Sequence, residues 1–160
     1  MCTRRAVVLF FFVLGISAAL GAVAKLPLTH LRDLVESANW IVIGPVVAIE
    51  DGGVSKEFGV PVKVARIRPD RFLKGAKQER LEIAFMPAVS EEPNFVLKET
   101  YLLFLKRTPS GAEVVVGYLG ALMIKDGFVK TGEINDEPEL QSVDTFVERI
   151  GIAMQVPTTH

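Results

Sequence analysis

Tyr101-Leu102-Leu103-Phe104-Leu105 is an unbroken apolar run. A strand that is wet on one side alternates apolar and polar residues, so a run without alternation predicts a central strand buried on both faces. The segment before it, Met86 to Lys98 (MPAVSEEPNFVLK), carries two prolines and adjacent glutamates and reads as a long loop. Further back, Leu81, Ile83 and Phe85 alternate with Arg80, Glu82 and Ala84, which predicts a strand with one wet face. Val60, Val62 and Val64 share one face of another strand, with Pro61 and Lys63 on the other. That stretch continues through Ile67 towards Phe72-Leu73-Lys74-Gly75, with a break at Pro69-Asp70. Trp40 to Ile49 is β-branched and apolar, and Asp51-Gly52-Gly53 has the composition of the turn that ends it. Pro45 predicts a bulge or an edge position within that strand.

After the central run, Thr108-Pro109-Ser110-Gly111 turns the chain into Glu113 to Tyr118. Leu122 to Lys125 and Phe128 to Lys130 flank Asp126-Gly127, a two-residue connection that predicts a hairpin. Helices close both ends. Leu28 to Ala38 places Leu28, Leu31, Leu34, Val35 and Ala38 on one face, with Thr29 as N-cap after Pro27. Pro138 to Ala153 does the same with Leu140, Val143, Phe146, Val147 and Ile150, and Pro138 suits a first helical turn. Residues 154–160 read as a frayed C-terminus. The expected fold is mainly β: a small OB-like antiparallel β-barrel with an N-terminal and a C-terminal helix, in one domain spanning 25–153.

The first 24 residues read as an export signal. Arg4 and Arg5 precede a charge-free stretch from Ala6 to Ala24, and Ala22-Val23-Ala24 offers the small residues at which a signal peptidase cuts. Cleavage between Ala24 and Lys25 would leave a periplasmic or secreted protein with no stable membrane insertion. The alternative is an uncleaved anchor. The whole chain has 160 residues, 49% of them hydrophobic, and a formal net charge of −1. Such a balance supplies no field for nucleic acid. Loss of residues 1–24 removes Cys2, the single cysteine, and with it disulfides and thiolate chemistry.

Three stretches together carry a resemblance. Ala38-Asn39-Trp40-Ile41-Val42-Ile43-Gly44-Pro45-Val46 is similar to an A-D-x-V-V-x-G-x-V opening strand. Phe72-Leu73-Lys74-Gly75 is like the L-K-G element that follows it, and Tyr101 to Leu105 is like a Y-L-L-F-L strand before a hairpin, here Lys125-Asp126-Gly127. The pattern resembles the OB-fold barrel of the tissue-inhibitor-of-metalloproteinases and netrin-like domains, and exported bacterial proteins that share it. The resemblance implies the barrel. It does not carry over the inhibitory mechanism, in which an N-terminal Cys chelates the protease zinc, because Lys25 stands at the expected mature start.

The chemistry-bearing residues are sparse. The two histidines are His30 and His160, too few for a zinc site, and no G-x-S-x-G elbow accompanies the serines. No D-x-D-x-D-G spacing predicts calcium. The expectation is therefore no cofactor, no metal and no catalytic residue. Lys63, Arg66, Arg68 and Arg71 cluster on or beside a strand but lack interleaved aromatics, so they read as a solvated face. The loop Met86–Lys98 is the candidate contact surface, offering Glu91, Glu92, Asn94 and Phe95 to a protein, peptide or glycan. The expected function is a non-enzymatic binding module. A hydrolytic enzyme with an unrecognised site and a membrane-anchored envelope protein are the alternatives. N-terminal sequencing of the exported protein should give Lys25 as first residue, whereas intact Met1 in the membrane fraction would establish the anchor.

Overall fold

The computed structural model describes residues 30–109, 111–135 and 137–155. The elements run α1 (Leu31–Ser37), β1 (Trp40–Val54), β2 (Pro61–Ile67), β3 (Arg71–Lys74), β4 (Leu81–Phe85), β5 (Thr100–Thr108) and β6 (Gly111–Val114). A 3-10 turn at Gly117–Gly120 then leads to β7 (Ala121–Lys125), β8 (Phe128–Lys130), β9 (Leu140–Ser142) and α2 (Val143–Gln155). The fold is mainly β, with one helix before the sheet and one after it. The export segment 1–24 and its boundary at Ala24–Lys25 lie outside the described residues, as do Leu28, Thr29 and residues 156–160. Among the described residues no helix is long and apolar enough to cross a membrane.

β5 is the strand that its sequence predicts. Over Thr100–Leu105 one edge pairs with β1, and on the other edge β7 pairs with Thr100–Leu103 and β6 with Leu105–Thr108. Its two faces feed two separate cores. Leu102 and Phe104 pack with Leu34, Val35, Val129, Phe146 and Ile150, under the helices. Tyr101, Leu103 and Leu105 pack with Val42, Ala65, Ile67, Ile83 and Phe85, inside the curved strands. A continuous apolar run is required because neither face reaches water.

The sheet order is β3-β1-β2-β4-β6-β5-β7-β8-β9, and β1 also pairs with β5. The seam between β4 and β6 consists of a single parallel pair, Ile83 with Ala112. With so narrow a join the sheet is not a clear barrel; the mainly β fold with a helix before and a helix after the sheet is the part of the expected architecture that the structure shows.

Several local expectations are corrected. β1 runs straight through Asp51-Gly52-Gly53 to Val54. The pair ladder with β2 slips between Asp51 and Gly53, and Gly53 adopts φ +91°, so this glycine forms a bulge and not the turn. The turn lies at Ser55–Gly59, where Ser55 N–H donates to Val60 O and Gly59 N–H to Ser55 O, both at 2.9 Å. A second slip falls between Val46 and Ala48, just past Pro45, where β1 passes from β5 to β2 as its partner. In β2 the fully buried face is that of Ala65 and Ile67, opposite the Val62–Val64 face. β4 alternates buried and exposed along its whole length, as its sequence predicts. The Asp126-Gly127 hairpin also forms, with φ of 52° and 82°. The first helix is capped by His30, whose backbone N–H donates to the Asp33 carboxylate.

The last helix begins later than its apolar spacing suggests. Leu140 belongs to β9, pairs with Lys130 and is 61% exposed. Ser142 starts the helix: its Oγ accepts from Thr145 N–H at 3.2 Å. Met154 and Gln155 remain helical. The connector from β8 is held by a buried network in which Gln141 Nε2 donates to Thr131 Oγ1 (3.0 Å) and to Glu137 Oε2 (2.7 Å). Arg149 Nη2 reaches Glu137 Oε1 at 2.8 Å, tying α2 to the same connector. These assignments separate two residues that share the predicted stripe. Phe146→Ala should cost about 3–5 kcal/mol in chemical denaturation, as for other buried phenylalanines, while Leu140→Ala should stay within about 0.5 kcal/mol of the parent.

Candidate functional site

Three segments converge beyond the outer end of the β1–β2 hairpin. The first is the turn Ser55–Gly59. Ser55 Oγ accepts from Phe58 N–H at 3.2 Å, which fixes the turn and carries the Phe58 ring at its tip, 57% exposed. The second is the long loop between β4 and β5. It is ordered by short internal bonds, Val89 N–H to Met86 O (2.9 Å) and Glu92 N–H to Val89 O (3.1 Å), and by Lys98 N–H to Val46 O of β1.

Phe95 is the anchor of that loop. It is buried and meets Phe85 and Tyr101 edge to face, each with ring centroids 5.2 Å apart. Tyr101 Oη accepts from Val96 N–H at 3.0 Å, and burial pushes the phenol's pKa up. The expectation that Phe95 is a presented contact residue is therefore corrected: a large apolar ring gains more by completing the core than by facing water. Nor do Glu91 and Asn94 line the groove described below; their side chains are exposed, and their carbonyl oxygens accept from Tyr118 N–H and from the Tyr101 hydroxyl.

The third segment is the exit from β6. Val116 and Gly117 both adopt positive φ, 53° and 57°, to turn the chain into the 3-10 turn. A side chain at Gly117 would collide with the Glu91 carbonyl oxygen, so glycine is required for this segment to close on the loop.

Between the three lies an open groove of about 370 Å³, lined by Ser55, Glu57, Phe58, Val62, Phe85, Met86, Glu92, Thr108 and Glu113, among others. Among the described residues its lining has three acids, Glu57, Glu92 and Glu113, and no base. Lys106 approaches Glu113 to 3.8 Å, but both are well exposed, so the pair neutralises little. Partial burial pushes the Glu92 carboxyl above its usual range, repulsion from Glu113 adds to this, and a backbone hydrogen bond at Met86 opposes it. Of the residues expected from sequence, only Glu92 enters the groove. Glu57, Phe58 and Glu113 were not foreseen. The signal for the first two was a phenylalanine inside a polar segment ending in Gly59, obscured by the adjacent Gly52-Gly53.

Among the described residues no three His, Cys, Asp or Glu side chains stand together as a metal site. No protein-family model matches the chain, and no curated protein matches it. These comparisons give no link to the netrin-type barrel.

Glu92 gives a direct pH test. A carboxyl whose folded pKa is raised binds more protons folded than unfolded, so ionising it removes stability as pH rises from the unfolded value through the raised one. Glu92→Gln should therefore raise the melting temperature at neutral pH. The gain should vanish below the ordinary carboxyl value of 4.5, where parent and variant are both neutral at this position.

Proposed function

We propose that this chain is an exported, non-enzymatic binding module that holds a basic, partly apolar peptide segment of a partner protein in the groove around Glu57, Glu92 and Glu113. The observation that carries the reading is the groove's charge. Three acids join the apolar residues Val62, Phe85 and Val114 in its lining, with Phe58 exposed and no cation among the described lining residues. Such a surface complements Lys or Arg side chains flanked by apolar ones, and complementarity of sign sets both encounter rate and specificity. A glycan is less favoured, since among the described lining residues Phe58 is the one exposed ring and sugar recognition draws on flat aromatic platforms. Export is supported by the Arg4-Arg5 pair, the charge-free stretch and the Ala22-Val23-Ala24 end.

An OB-like barrel is the scaffold proposed for this module. The pairings β1–β2, β2–β4, β4–β6, β6–β5 and β5–β1 return to their starting strand, which supports a five-stranded ring with β3, β7, β8 and β9 appended. The two tight segments Ser55–Gly59 and Val116–Gly120 would then be loops at one end of it.

A second reading, a hydrolytic enzyme, draws on the raised pKa of Glu92 beside Glu113, because burial that favours the protonated carboxyl is one of the ways an acid catalyst is made. Loss of hydrolysis of a glycoside or peptide panel on Glu92→Gln would establish it over simple binding.

For the binding reading, the exported fraction should yield a partner whose capture falls about tenfold or more when Glu57, Glu92 and Glu113 are replaced by Gln, in keeping with the cost of losing interfacial charge partners. Phe58→Ala should weaken capture separately. Neither set should lower the melting temperature, and capture indifferent to all four positions would remove the groove from the function.

A further inference from the structure

The narrow β4–β6 seam is flanked by a second groove, of about 480 Å³, with walls that include Trp40, Gln78, Arg80, Glu82, Arg107 and Gly111. Its chemistry is the reverse of the first. Arg107, near the end of β5, lays its guanidinium over the Trp40 ring, 4.9 Å from the centroid. That indole is fixed in turn, since its Nε1–H donates to Ala76 O at 3.1 Å. The backbone beneath Arg107 is fixed as well, its N–H donating to Asn39 Oδ1 at 2.7 Å. A guanidinium held by its face keeps its edge N–H groups available, so Arg107 is prepared to donate at little entropic cost. Arg80 adds a second guanidinium from the segment that enters β4.

Among the described residues neither Arg80 nor Arg107 is ion-paired with a carboxylate. The acid that lines this groove, Glu82, is already engaged by Arg66, whose Nε stands 3.0 Å from Glu82 Oε1. Two guanidiniums, one of them immobilised, thus border a cavity of a size that takes small ligands.

We infer that this groove binds a multiply charged oxyanion, a polycarboxylate or a phosphate compound whose oxygens span Arg80 and Arg107. Fork-shaped donors pair with either oxyanion, and two of them favour a ligand with at least two negative charges over a monoanion. Gln78 can add an amide donor from the same wall. Thr108 lines both grooves, but this inference uses none of the acidic groove's charged residues and does not rest on a peptide binding there.

Trp40 is the single tryptophan in the sequence, so intrinsic fluorescence reports from this groove. The purified protein is titrated with citrate, pyrophosphate and acetate at constant ionic strength, with chloride as the reference. Citrate or pyrophosphate should give a saturable change, and acetate should bind at least about tenfold more weakly, because it loses one charge-assisted contact. Saturation by citrate alone identifies a polycarboxylate site, and saturation by pyrophosphate alone a phosphate site. Arg80→Gln leaves the indole and its stacked partner in place, and should weaken binding about tenfold with an unchanged melting curve. Arg107→Gln, followed by calorimetry because it alters the indole's own emission, should do the same. Glu92→Gln should leave the titration unmoved. A response no different from chloride, or full affinity in Arg80→Gln, would overturn the inference.

Discussion

The complete enclosure of β5 is the constraint on which the rest of the molecule depends. Both faces of Tyr101–Leu105 are buried, and both edges are hydrogen-bonded. Backbone N–H and C=O groups that lose water must find partners, so β1, β6 and β7 have to be present along those edges. The two side-chain sets make an equivalent demand. Leu102 and Phe104 need the helices, and Leu103 and Leu105 need the curled strands β1, β2 and β4. One strand is thus the shared wall of two cores, and neither core can loosen without exposing it.

Elements decided by their own side-chain period were the legible ones. β4, β5 and the β7–β8 hairpin follow directly from alternation, continuous apolarity and Asp-Gly. Where composition pointed one way and pairing another, pairing won. Asp51-Gly52-Gly53 has every mark of a turn, yet the opposite strand continues alongside it, so the glycines are spent on a bulge that lets β1 keep curling. Leu140 has helical spacing to Phe146, yet β8 offers it a free edge, and the chain takes the strand first. Short-range pattern contains no information on which distant edge is open. The same holds for Phe95, where a neighbouring acidic pair disguised a core residue whose partners lie at Phe85 and Tyr101. The candidate groove was legible in one residue of its acidic set, Glu92, because Glu57 and Glu113 join it only through the topology.

The two grooves share a logic despite opposite charge. Each forms where strands stop pairing, and each is bordered by side chains whose backbones are tightly held. Phe58 sits on a serine-braced turn, and Arg107 stands on an indole that is itself hydrogen-bonded. Rigid support for exposed groups lowers the entropy lost on binding, and this separates both grooves from the scattered charges on the rest of the sheet. The ion pairs of Arg66 with Glu50 and Glu82, by contrast, close on themselves and leave little for a ligand.

The single-pair contact of Ile83 with Ala112 also bears on the order in which the molecule assembles. β1 with β2, β5 with β6 and β7 with β8 are each hairpins or near-hairpins, and such local pairs form early because little chain entropy is lost in closing them. Joining β4 to β6 requires the intervening loop and β5 to be in place already. That seam has one paired position, so few backbone hydrogen bonds hold it closed. Opening there would bare the edges of β4 and β6 directly beside the arginine-lined groove, while β5 keeps its pairing with β1 and β7.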